Sequence, residues 1–116
     1  MSSDPRTVDA PNGDQFTIAP FTPARLSEAL KTLKAKGIEI KPGQTSLLEG
    51  IEFQNAVCRA VFVDWRKSVG GALSDTTKFE REKLIGESPK IVNWIVKKAE
   101  GFAAEADKEF DEDAGN

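Results

Sequence analysis

A chain of 116 residues with 39% hydrophobic side chains can fill one modest core but not two. Sixteen basic against nineteen acidic residues leave a net charge of −3, which disfavours a surface that tracks phosphates, because each neutralised phosphate needs a Lys or Arg. Histidine is absent and there is one cysteine, so the usual general base near neutral pH, a Cys–His nucleophile and an internal disulfide are excluded; no catalytic residue, cofactor or metal is expected.

From Met1 to about Gln15 the composition is Ser, Asp, Pro, Asn and Gly with little to bury, which predicts a flexible N-terminal arm over residues 1–15. The first residues lack the apolar run of a signal peptide, and no later segment approaches the ~20 apolar residues of a membrane span. A soluble, intracellular protein is expected. Phe16-Thr17-Ile18 and Ile38-Glu39-Ile40 alternate apolar and polar residues with the period of a half-buried strand, which leaves room for a short N-terminal β-hairpin.

Helix signals follow in order. Thr22 caps a helix with Pro23 at its first position, Phe21 staples onto Leu26, and Gly37 supplies a left-handed stop. Ser46 and Glu49 fit a capping box that opens a long second helix to about Lys67, with Leu47, Ile51, Cys58, Val61, Phe62 and Trp65 on one face. Gly70-Gly71 breaks it. Thr77-Lys78-Phe79-Glu80 is a second capping box, for a short helix that Gly86 stops. Ser88-Pro89 starts a last helix whose apolar stripe runs through Ile91, Ile95, Ala99, Phe102, Ala106 and Phe110. After Ala104 the acids Glu105, Asp107, Glu109, Asp111, Glu112 and Asp113 meet only Lys108, and their repulsion near a helix C-terminus predicts a solvated tail over 105–116.

The fold class expected is therefore mainly α: about four helices in one domain over 16–104, packed around Leu30, Leu33, Ile51, Val61, Phe62, Trp65, Ile91 and Ile95. Trp65 lies on the main stripe and is assigned to the core. Trp94 falls away from the Ile91–Ile95 line, and a tryptophan offers a large desolvated contact with few rotors to freeze, so it leads the candidate partner-binding set of Trp94, Lys97, Phe102 and Phe110. Cys58 reads as a small buried hydrophobe.

The order of elements after Val57 also carries a family resemblance. It runs through Cys58-Arg59-Ala60-Val61-Phe62-Val63-Asp64-Trp65-Arg66-Lys67-Ser68-Val69, the gap at Gly70-Gly71, Thr77-Lys78-Phe79-Glu80, Leu84-Ile85, Ser88-Pro89-Lys90-Ile91, Ile95, Ala99, Phe102, Phe110 and the final Asn116. Over about residues 57–116 this resembles the small tail assembly chaperones of long-tailed bacteriophages. Members typically end a long helix on a Trp followed shortly by Val, then have a loop, a short capped helix and a last helix that reaches an Asn near the C-terminus.

The resemblance implies a non-enzymatic chaperone of the host bacterial cytoplasm. It would bind the tape-measure protein and help recruit the major tail protein, with neither nucleic acid nor membrane as partner. Self-association into rings or spirals is compatible with that role, and such chaperones often have a longer product made by ribosomal frameshifting near the end. Two other readings compete: a minor virion protein of the neck or tail completion, and an acidic inhibitor of a host protein built on Glu105 to Asp113.

Overall fold

The computed structural model describes residues 4–39 and 47–114, with side chains over 4–39 and 49–106. Its elements run β1 (Arg6–Asp9), β2 (Gln15–Ile18), α1 (Pro23–Ala35), α2 (Leu47–Val61), β3 (Phe62–Val69), β4 (Ala72–Asp75), α3 (Lys78–Glu87) and α4 (Pro89–Ala114). The strands form one antiparallel sheet in chain order, β1-β2-β3-β4. The fold is α+β, which corrects the expectation of a mainly α domain with at most a short hairpin.

The correction has two local origins. Helix α2 stops at Val61, and the chain passes without a loop into β3, where Phe62, Trp65 and their neighbours are extended. Gly70 and Gly71 then take φ of 57° and 85° between the paired residues Val69 and Ala72, the positive-φ pair that a two-residue hairpin turn requires. The expected helix end is thus a β-hairpin. At the other end, Arg6–Asp9 of the expected arm pairs with β2, Val8 opposite Phe16. Ile38 and Glu39 form no strand, and Ile40 lies outside the described residues.

Strand β2 is central. Phe16 pairs with Trp65 and Thr17 with Asp64, but Ile18 faces Phe62, so Val63 is an extra residue in a bulge. The bulge resets the alternation, which lets Phe62 and Trp65 both join Phe16 and Ile18 in the hydrophobic cluster. Phe16, Ile18, Leu33, Val57, Cys58, Val61, Val92 and Ile95 are its largest fully buried side chains. Each large one contributes about 1.5–3 kcal/mol by burial.

The helix signals at α1, α3 and α4 correspond to observed ends. Thr22 Oγ1 accepts from the Arg25 backbone N–H at 3.4 Å. Past the other end of α1, Ile38 N–H donates to Leu33 O at 2.9 Å and Gly37 N–H to Lys34 O at 3.0 Å, with φ of Gly37 at 79°. Thr77 and Glu80 cap α3 reciprocally. Gly86 lies within α3, which continues to Glu87. Ser46, the proposed cap of α2, is outside the described residues.

Two residues expected in the core are not there: Leu30 is 41% and Ile51 47% exposed. On α1 the inward positions are Ala29 and Leu33, and Leu30 turns instead to a surface groove with Lys34 and Ile38. Nor does the backbone break after Ala104: α4 stays helical to Ala114. Glu105 accepts from Arg6 Nη1 at 2.6 Å, which joins the expected tail to the expected arm.

Candidate partner-binding surface

Trp94 is held from behind by an aromatic cluster centred on Phe16. The Phe16 ring lies 6.0 Å from Trp65 in a parallel arrangement, 5.7 Å from Phe62 edge-on and 5.6 Å from Trp94 at 58°. Such pairs add about 0.5–1.5 kcal/mol each beyond burial. Trp94 is thus half-buried with its inner face packed, and Lys98 Nζ stands 5.7 Å from its ring centroid.

Trp94 forms a wall shared by two surface grooves. The first, about 210 Å³, lies between α4 and the β1–β2 turn and is lined by Ala10, Pro11, Asn12, Phe16, Lys90, Ile91 and Trp94. Its surface is almost wholly apolar, with Lys90 the charged group at its edge. The second, about 280 Å³, follows α4 and is lined by Trp94, Lys97, Lys98, Gly101, Phe102 and Glu105. Of the four residues picked out by sequence, Trp94, Lys97 and Phe102 come together in this second groove. The side chain of Phe110 lies outside the described residues. Phe102 is covered on one side by Arg6, whose guanidinium carbon is 4.9 Å from the ring centroid.

The turn that forms the far wall of the first groove is fixed by Asp14, the buried charged residue of the described set. Trp65 Nε1 donates to Asp14 Oδ2 at 3.0 Å, the Ser68 backbone N–H to Oδ1 at 2.8 Å and Asn12 Nδ2 to Oδ2 at 3.3 Å. Within the turn, Asp14 N–H donates to Asn12 Oδ1 at 3.0 Å and Ala10 N–H to Asp14 O at 2.8 Å. One carboxylate therefore ties the β1–β2 turn to β3. Sequence reading missed Ala10, Pro11, Asn12, Asp14 and Phe16 as a site. The signal was there: Pro11-Asn12-Gly13-Asp14 is turn chemistry between two alternating stretches.

Among the described residues two titrating groups are shifted. Burial pushes the Cys58 thiol from 9.0 up to about 12, against a smaller opposing pull from Arg59. Glu80 is held below its ordinary 4.5, first by the hydrogen bond from Lys67 and then by the Thr77 backbone N–H. Cys58 accordingly belongs to packing, and Glu80 to the cap of α3 and its tie to β3.

Comparison with known proteins finds no matching family model, no matching curated protein and no matching solved structure. Among the described residues no helix is long and apolar enough to cross a membrane.

Proposed function

We propose that this chain is a non-enzymatic assembly chaperone that covers an amphipathic segment of a phage tape-measure protein and helps bring tail-tube subunits to it. The observation that supports this reading most is the apolar groove between the β1–β2 turn and α4, open to solvent and floored by Phe16 and Trp94. A groove of this size accepts one or two large apolar side chains, as an amphipathic helix presents them at steps of three and four residues. The rigid Asp14 turn keeps it preformed, so little ordering opposes binding. The order of residues after Val57 supplies the family resemblance, which now rests on the capped α3 and on α4, since Trp65 lies in β3 and not at the end of a long helix, and the groove supplies a place for a client.

Co-expression with a candidate tape-measure protein tests the reading. The client is expected to be soluble only in its company. Trp94→Ala should lower client capture by about tenfold or more, as truncation of an anchoring Trp does, and should also cost roughly 1–2 kcal/mol of stability because half of the ring is packed. Pro11→Asp places a charge on the exposed opposite wall and should weaken capture with the fold intact. A client that stays insoluble with and without this chain, or that is captured equally by both variants, refutes the proposal.

A further inference from the structure

Gly101 stands in the middle of α4, exposed. A Cβ added there would meet nothing within 4 Å, so internal packing does not call for a glycine. The helix nevertheless gives up about 1 kcal/mol relative to Ala at that position. A bare helical turn is what a second backbone needs for close approach. Positions 90, 94, 97, 101 and 105 succeed one another at steps of three or four, so they share one face. The groove along this face is lined by Trp94, Lys97, Lys98, Gly101, Phe102 and Glu105.

Charge divides about the glycine. On this face, before it, stand Lys90, Lys97 and Lys98, all exposed, with the acid Glu100 lying off the face; after it comes Glu105, which accepts from Arg6 of its own chain at 2.6 Å yet leaves 59% of its side chain exposed, followed in the sequence by five further acids and Lys108. Lys97 and Glu105 are equidistant from Gly101 in sequence, on opposite sides.

We propose that this face of α4 pairs antiparallel with the same face of a second copy, about a two-fold axis at Gly101. The axis sets Lys97 of each copy opposite Glu105 of the other, and runs the acidic end of each helix along the basic, Trp94-bearing end of its partner. A parallel pairing would set Lys97 on Lys97 and Glu105 on Glu105, so charge selects the antiparallel arrangement. The contact is isologous, as a closed dimer requires. Helix α4, with 26 residues, is about 39 Å long. This pairing does not rest on the chaperone reading.

Sedimentation equilibrium on the full chain, from micromolar to hundreds of micromolar, provides the test, with far-UV circular dichroism on every variant. The expected result is a dimer that weakens with salt. Lys97→Glu and Glu105→Lys should each weaken it by about tenfold or more, through like charges set face to face, and the double variant should recover most of the loss. Gly101→Leu should dissociate the dimer while raising helical content. A monomer at every concentration overturns the proposal. So does an assembly indifferent to Lys97→Glu and Gly101→Leu, or a double variant no tighter than the singles.

Discussion

Asp14→Ala removes the carboxylate that joins the β1–β2 turn to β3, and its cost can be worked from three donors. Trp65 is 8% exposed, so its Nε1–H loses its acceptor in a place that water reaches poorly. An orphaned buried donor costs about 1–3 kcal/mol. The Ser68 N–H belongs to an exposed residue and finds water, so its loss is nearer the roughly 0.5–1.5 kcal/mol of an ordinary hydrogen bond. Asn12 is exposed and adds little. The expected total is about 3 kcal/mol, a large part of the roughly 5–15 kcal/mol that holds a domain together. It corresponds to a melting temperature lower by roughly 10 °C for a domain of this size. Urea unfolding followed by far-UV circular dichroism measures the loss. A cycle with Trp65→Phe, which keeps a ring and removes the N–H, should give a coupling of about 1.5–3 kcal/mol, as for a hydrogen bond to a charged acceptor. A loss under about 1 kcal/mol for Asp14→Ala, or additivity within about 0.5 kcal/mol, would refute the reasoning.

Cys58 should resist thiol reagents at mildly alkaline pH and react only as fast as the protein opens, and rapid labelling of the folded chain would contradict its burial. Because its folded value is raised, the associated stability is complete below 9.0 and is lost as pH rises toward about 12, so Cys58→Ala should flatten the alkaline limb of the stability curve. Glu80 has the opposite sign. Its folded value is lowered, so its contribution is present above 4.5 and disappears as pH falls through the folded value; Glu80→Gln should flatten the acid limb, and an unchanged limb would remove Glu80 from the cap.

The parts of the fold that were legible in the sequence are those fixed locally. Thr22 with Pro23, Thr77 with Glu80, and Ser88 with Pro89 mark helix starts through bonds and steric effects spanning three or four residues, and α1, α3 and α4 begin there. Of the sheet, the alternation at Phe16-Thr17-Ile18 marked β2, but the other strands were not legible because their decisive contacts are distant. Cys58, Val61, Phe62 and Trp65 satisfy helical spacing as well as they satisfy a strand with a bulge. What selects the strand is Phe16, far away in sequence. Still, Val69-Gly70-Gly71-Ala72 is a hairpin signature in a stretch rich in Val, Phe and Trp, and it should have outweighed the stripe. Strand β1 escaped because it is an edge with one half-buried side chain, Val8, among exposed neighbours. At the candidate surface, Trp94 stood out by its position on α4, while the far wall of its groove, Ala10 to Asn12, comes from the region read as an arm.

The place of β2 in the sheet has a consequence for birth on the ribosome. Phe16 and Ile18 emerge early, yet the strand that covers their other edge ends at Val69. At roughly 5–20 residues per second, the N-terminal hairpin waits several seconds with two large apolar side chains bare. The helix that seals them, α4, is translated later still. Holdases therefore have their opening on this polypeptide during elongation, and a ribosome stalled just before Phe62 would display a nascent chain whose hairpin has nowhere to dock.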